Sequence, residues 1–295
     1  MEGDLALHLA PVPPVDVIAP VELTLPLVCA SPHSGTLYPS EFLAASRLDA
    51  LTLRRSEDAY VDELFGGAPA LGAPLLRARF ARAYLDPNRE PYELDPAMFV
   101  DALPPFVNRH SPRVRMGLGT IARVVASGEE IYARKLEAEE AISRIERLYR
   151  PYHRALKQLV TATRDRFGFY LLIDCHSMPS ACLGERGCRP GRADIVLGDC
   201  HGTSCHAVVT ETVHRALVAK GYNVARNAPY AGGFTTAHYG RPSARGHCLQ
   251  IELSRSLYMD ERNFERKAYF GRLADDMSDV ILALAGMAPS LAAAA

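Results

Sequence analysis

Several features that would assign a chain to a class are missing here. No uninterrupted apolar run approaches the roughly 18 residues that a membrane-spanning helix needs, so no membrane partner is expected. The N-terminus carries Glu2 and Asp4 and lacks a basic stretch, so no secretory signal is expected and the location is read as cytoplasmic. An excess of one charge is also lacking: 33 Lys and Arg stand against 34 Asp and Glu, for a net charge of −1. That balance removes the electrostatic grounds for a nucleic-acid partner. No CxxC pair occurs among the seven cysteines. Cys29, Cys175 and Cys248 sit in apolar runs, as small buried hydrophobes do. Cys182, Cys188, Cys200 and Cys205 cluster in a loop-rich region, where free thiols fit better than a four-cysteine zinc site or loop disulfides. Internal repeats and linkers are lacking too, so residues 21–286 read as one domain, with an extended arm at 1–20 and a fraying Ala-rich tail at 287–295.

What is present is an ordinary globular composition, 48% hydrophobic and 23% charged, with a pair of matching stretches. In LLIDCHSMPS, residues 171–180, an apolar run turns polar at Asp174 and His176 and is broken by Pro179. In LPLVCASPHSG, residues 25–35, a short apolar run ends in a small-residue loop around His33. Runs of this kind read as buried parallel strands, whose carboxyl ends are where sites form in α/β sheets. Each could instead deliver a satisfied core histidine. Two such histidines plus one carboxylate would make a mononuclear zinc site of the hydrolytic type, with a position left for water.

Residues 40–52 read as a helix, and 53–65 carry apolar residues at helical spacing. There Ser56 caps a first turn holding Glu57 and Asp58, and either acid is a candidate ligand or a mere helix-end charge. Residues 70–77 read as a strand, and Asp86-Pro87-Asn88-Arg89 as a turn. A long helix or helical pair is expected over 129–166, kinked or split at Pro151. Residues 180–192 form a candidate lid or specificity loop. A strand at 193–197, a helix at 204–219 and a strand at 222–225 follow, and then a long glycine-rich polar loop at 229–247. Glu252 is an acid set among Leu249, Ile251 and Leu253 in a strand, a placement unusual unless the acid is paired or near a metal. A helix over about 261–285 closes the chain.

The segments SPHSG, SEDAYVDELF, DPNRE, DCHSMPS, GGFTTAHYGRP and QIELS, met in this order, resemble the N-formylglutamate amidohydrolase family over about residues 25–275. The resemblance implies a single α/β domain, a mixed, mostly parallel β-sheet sandwiched by helices, similar to zinc carboxypeptidases and aspartoacylase-type deacylases. It implies one Zn2+ per chain held by His33, His176 and an acid of the SED segment, Asp58 in preference to Glu57. It implies Glu252 as general base and Asn88-Arg89 as the grip on a substrate carboxylate. One departure stands out: the carboxypeptidase pattern places its acidic ligand three residues after the first histidine, and here that residue is Thr36.

The chemistry then expected is hydrolysis of the amide of a small N-acyl acidic amino acid such as N-formyl-L-glutamate. A metal lowers the pKa of water, Glu252 moves the proton, and Arg89 helps to stabilise the oxyanion. Arg241 is a further candidate for a second carboxylate, His238 and Tyr239 are candidate donors to the tetrahedral intermediate, and Asp174 is a candidate acceptor orienting a metal histidine. The alternatives are a carboxypeptidase-like peptidase, a deacylase of other specificity, and a zinc- or ligand-binding protein without turnover. The chain is expected to act as a monomer or small homo-oligomer.

Overall fold

Strands β2 (Leu27–Ser31), β4 (Tyr170–Met178) and β7 (Gly246–Ser254) run parallel and buried through the middle of a seven-stranded sheet. The structure is a computed structural model and describes residues 13–125, 127–180 and 193–293. The sheet order is β1-β3-β2-β4-β7-β5-β6, with β1 (Val15–Ile18), β3 (Leu75–Ala78), β5 (Ile195–Gly198) and β6 (Val224–Arg226) completing it. Four neighbouring pairs are parallel, while β1 on β3 and β5 on β7 are antiparallel. The expected mixed, mostly parallel sheet between helices is therefore what forms, in one α/β domain.

The period-2 alternation of strands sorts side chains to two faces. On one face Leu171, Ile173 and Cys175 of β4 join Leu249, Ile251 and Leu253 of β7 in a core roofed by helices Ala207–Ala219 and Phe270–Ala293. On the other face Tyr170, Leu172 and Cys248 pack with helix Arg150–Phe167. Each fully buried Leu or Ile contributes on the order of 1.5–3 kcal/mol through apolar area removed from water. The same second face carries Asp174, His176, Gln250 and Glu252 further along the strands, and there the apolar series gives way to polar groups.

Several elements differ from their sequence outline. Val15–Ile18, inside the stretch read as an arm, is an edge strand; residues 1–12 lie outside the described part. The long helix begins at Ala138 rather than 129, and it does not break at Pro151. A π-helical turn, Ile145–Tyr149, joins Ala138–Arg144 to Arg150–Phe167 and accommodates a residue with no N–H to give. The last helix starts at Phe270, and it continues to Ala293 because Met287, Ala288 and Leu291 are held in the core. The glycine-rich loop folds locally into helix Phe234–Tyr239 and a 3-10 turn, Pro242–Ala244. The expected lid at 180–192, with Cys182 and Cys188, lies outside the described residues apart from Ser180; Cys29, Cys175, Cys200, Cys205 and Cys248 are free thiols. Among the described residues no helix is long and apolar enough to cross a membrane.

Candidate active site

His176 and Glu252 are direct partners in the β4–β7 register, with Asp174 opposite Gln250 two residues earlier. Parallel pairing thus sets an imidazole beside a carboxylate on one face, at the carboxyl end of the sheet. His33 comes from the loop after β2, where Gly35 lies so close to the 79–80 backbone that a Cβ would fall 2.2 Å from the Phe80 carbonyl oxygen. That loop is tied to the 56–60 turn, since the Asp58 N–H donates to the His33 carbonyl at 3.0 Å and Ser34 Oγ donates to the Asp58 carbonyl at 3.1 Å.

The 56–60 segment is not the capped helix its spacing suggested. Helix Ala50–Arg54 ends, Tyr60 takes a left-handed φ of 65°, and helix Val61–Leu64 starts anew. The reversal sends the two acids apart. Glu57 is held by the Tyr38 hydroxyl at 2.6 Å and by Arg54 Nε at 3.1 Å, away from the histidines. Asp58 Oδ2 lies 3.2 Å from His33 Nδ1 and 3.0 Å from His176 Nδ1. His33, Asp58 and His176 each offer a ligand atom within 4.8 Å of the others, and all three are buried.

The far side of each ring also meets an acid. His33 Nε2 is 2.8 Å from Asp86 Oδ1, and His176 Nε2 is 2.9 Å from Asp174 Oδ1 with Asn88 Nδ2 at 3.0 Å. Asp174 Oδ1 has no aligned donor, although its other oxygen accepts from Thr236 Oγ1 at 3.1 Å. With the His33 Nε2 proton turned to Asp86, the His33 Nδ1 lone pair, an Asp58 oxygen and His176 Nδ1 converge on one region, where a proton or a cation must relieve their repulsion. Burial opposes charge on His176, but Asp174 and Asp58 outweigh it and raise its pKa well above the ordinary value. Asp58 shows the counterpart: burial works against ionisation, yet bonds from His176 and His33 hold its pKa well below the usual carboxylate range. Glu252 is different. Burial, with the Asp58 charge adding to it against the pull of His176, pushes its pKa up to about 7.

These groups open into a cavity of about 390 Å³, within the range of small-molecule sites. Its wall includes His33, His176, Gln250, Glu252 and the guanidinium-bearing Arg82, Arg89, Arg113 and Arg255. Arg255 reaches Asp58 Oδ1 at 3.1 Å and Ser177 Oγ at 3.2 Å, fixing the acid from behind. Arg89, expected to grip substrate, lines the cavity but is largely engaged within the protein: Nε donates to the Leu118 carbonyl at 2.8 Å, Nη1 to the Asn88 carbonyl at 2.7 Å, and Nη2 pairs with Asp86 at 3.2 Å. Burial lowers its pKa to about 10, against the pull of Asp86. Asn88 is likewise engaged; its Oδ1 accepts from the Thr235 N–H at 2.7 Å, and a Cβ on Gly233 would fall 2.5 Å from its Nδ2.

Three candidates are not brought to this cavity. Helix Phe234–Tyr239 turns Thr235 and Thr236 toward Asn88 and Asp174, so His238 and Tyr239 face the opposite side and line a second, more open cavity. The Tyr239 hydroxyl is 3.0 Å from His153 Nδ1, and Arg241 Nε donates to the His238 carbonyl at 3.1 Å. Residues not singled out from sequence are Asp86, Arg82, Arg113, Gln250, Thr236 and Arg255. Asp86 was visible only as the first residue of a turn, and Arg255 had one available signal, its position right after an acid-bearing strand.

The family model described as N-formylglutamate amidohydrolase matches residues 25–259. An N-formylglutamate deformylase of Pseudomonas putida is 30% identical over 244 residues, covering 80% of this chain and 83% of that protein. One from Pseudomonas aeruginosa is 28% identical, covering 81% and 84%. Among solved structures, the N-formylglutamate amidohydrolase from Ralstonia eutropha JMP134 superposes with a TM-score of 0.86 at 39% identity, covering 96% of this chain and all of that one. The gene product Atu2144 from Agrobacterium tumefaciens shares the fold, with a TM-score of 0.64 at 18% identity. A match running from β2 to just beyond β7 takes in every strand end that builds the cavity, and by it this chain belongs to the N-formylglutamate amidohydrolase family, whose members are hydrolases acting on amide bonds.

Proposed function

We propose that the protein hydrolyses the formamide bond of N-formyl-L-glutamate, releasing formate and glutamate, with one zinc ion held by His33, Asp58 and His176. The observation that carries the reading is the buried convergence of those three side chains beside Glu252, in a cavity ringed by arginines. The family and the names of the relatives support the substrate.

The donor set fits a zinc ion. It has two imidazoles and one carboxylate, each imidazole is backed by a second carboxylate, and the cavity lies on the open side. A zinc ion bound there supplies a Lewis acid that lowers the pKa of water to about 7.

The chain's own groups do the rest. Glu252, with a pKa pushed up to about 7, is suited to take a proton from the attacking water and return it to the leaving amine. Gln250 Nε2 donates to Glu252 Oε1 at 3.0 Å and leaves the second carboxylate oxygen for that transfer. Arg255 and Ser177 keep Asp58 ionised and oriented. Asn88 and Arg89 line the cavity, and Arg89 adds positive potential for the oxyanion and a substrate carboxylate. Metal analysis of the purified protein combined with a formylglutamate turnover assay tests the reading. Stoichiometric zinc and formate release that chelation abolishes are expected; turnover unaffected by exhaustive chelation would refute the metal, and no turnover with zinc bound would refute the substrate.

A further inference from the structure

Four arginines line the cavity, and three of them are already committed. Arg82 pairs with Asp86 at 3.0 Å and stands 4.0 Å from Asp58. Arg255 is bound to Asp58, to Ser177 and to the Arg55 carbonyl at 3.0 Å. Arg89 is held by Leu118, Asn88 and Asp86. Among the described residues, the Arg113 side chain has no hydrogen-bond or ion-pair partner, and its charge acts unfavourably on that of Arg89.

The backbone beneath Arg113 is fixed even though the side chain is free. It lies in the short helix Pro112–Arg115, whose N-cap Ser111 accepts from the Val114 N–H at 3.1 Å, and the Leu118 N–H donates to the Arg113 carbonyl at 2.8 Å. The same stretch contributes Leu118, Gly119, Ala122 and Val124 to the wall, a mostly apolar strip suited to methylene groups. A free guanidinium and these apolar residues on the wall of the cavity that holds the hydrolytic centre match a ligand with an amide at one end, a short aliphatic spacer, and a carboxylate at the other. A partner-free guanidinium on a fixed backbone is available for bidentate binding of that carboxylate, for which an ammonium is a poorer substitute.

We infer that Arg113 is the specificity-determining residue that binds the side-chain carboxylate of the N-acyl amino acid and selects acidic substrates over their neutral isosteres. This rests on the amide-hydrolase reading of the cavity.

The test compares N-formyl-L-glutamate with N-formyl-L-glutamine in wild type, Arg113→Gln and Arg113→Lys, all supplied with zinc. Arg113→Gln is expected to lower the glutamate-to-glutamine ratio of kcat/KM at least tenfold, mainly through KM for the acid, and Arg113→Lys to restore part of it. A ratio within twofold of wild type overturns the assignment, whatever happens to the absolute rates, because a merely structural arginine would depress both substrates alike. Calorimetric binding of L-glutamate and L-glutamine to the same proteins separates this from the reaction itself. If wild type binds glutamate in preference to glutamine and Arg113→Gln erases the preference while N-formyl-L-glutamate is not turned over, the reaction is wrong and the Arg113 assignment holds. If wild type shows no preference in either assay, Arg113 has no such role.

Discussion

Replacing Asp86 with asparagine removes one charge and keeps the shape, and the structure says where the loss falls. Each carboxylate oxygen has its own pair of donors. Oδ1 accepts from His33 Nε2 at 2.8 Å and from the Asn88 N–H at 2.8 Å, while Oδ2 faces Arg82 Nε at 3.0 Å and Arg89 Nη2 at 3.2 Å. An asparagine has one oxygen to offer. Whichever way the amide turns, its NH2 group meets two donors. If the oxygen stays with His33, the buried Arg89 guanidinium loses its anion, a loss of about 3–5 kcal/mol for breaking a buried pair. Arg82 is partly exposed, and its share is discounted for solvent screening. At roughly 2–4 °C per kcal/mol, the melting temperature should fall by about 6–20 °C at pH 7.

The same substitution weakens the acceptor behind His33, which should lower zinc affinity about 10- to 100-fold. The pH dependence follows from the sign of the shift. Burial opposes ionisation of Asp86, but Arg89 and His33 hold its pKa well below the usual carboxylate range. Its stabilisation is therefore complete above the unfolded carboxylate pKa of about 3.9 and is lost as pH falls through the lower folded value. The gap in melting temperature between wild type and Asp86→Asn should accordingly persist from neutral pH to about 4 and close below it. Thermal melts across pH and chelator-competition titrations measure both effects. A melting temperature within 1 °C of wild type at pH 7 together with unchanged zinc affinity, to about twofold, would show that Asp86 is neither the counter-ion of Arg89 nor the support of His33.

His176→Ala should remove zinc and activity while leaving a folded chain, seen by metal analysis and circular dichroism; stoichiometric zinc with normal turnover would refute the ligand assignment. Glu252→Gln should keep zinc and lower kcat by about 10²- to 10⁴-fold, and the acid limb near pH 7 expected in wild-type kcat/KM should flatten with it. A near-normal rate would take Glu252 out of the reaction. Gly233→Ala should push on the Asn88 amide and depress turnover while the melting temperature shifts little, and wild-type kinetics in that variant would show that Asn88 is free to move aside.

The sheet and the two histidines were legible because both depend on local pattern. Leu171-Leu172-Ile173 followed by Asp174 and His176 is a buried strand running into a polar edge, and the structure places it there. Glu252 was legible for the same reason, as a charge among apolar neighbours. The choice between Glu57 and Asp58 was not local. It depends on the left-handed φ at Tyr60 and on bonds from Tyr38 and Arg54, none of which helical spacing carries. Asp86 and Arg82 pair with each other locally, but their place in the site was hidden because the residues they support there, His33 and Asp58, come from other segments of the chain. His238 and Tyr239 were misplaced because a glycine-rich stretch read as open loop is a helix, and its far face looks away from the cavity. The π turn at Ile145–Tyr149 is not legible because Pro151 by itself points to a kink or split, whereas one wider turn absorbs its missing N–H.

The charges around the cavity couple the metal to the substrate. Asp58, Asp86, Asp174 and Glu252 are four buried carboxylates, and the three arginines that pair among them are Arg82, Arg89 and Arg255. With all four acids ionised and His176 holding the proton that Asp174 and Asp58 favour, that set carries no net charge, and Arg113 on the same wall adds one positive charge facing a substrate that is itself an anion. Two events make the cavity more positive: a proton on Glu252, or a divalent ion among His33, Asp58 and His176 in place of the His176 proton. The second adds one net positive charge and should raise affinity for L-glutamate over the chelated protein. The first predicts a pH signature. Between pH 8 and pH 6 the chelated protein should regain part of its glutamate affinity as Glu252 protonates through a pKa of about 7, while the zinc-loaded protein should show little such gain. Calorimetric titration of both forms at the two pH values measures this directly. Equal glutamate affinity with and without zinc at pH 8 would mean that the His176 proton and the arginines already suffice, and that the cavity does not need a metal to receive an anion.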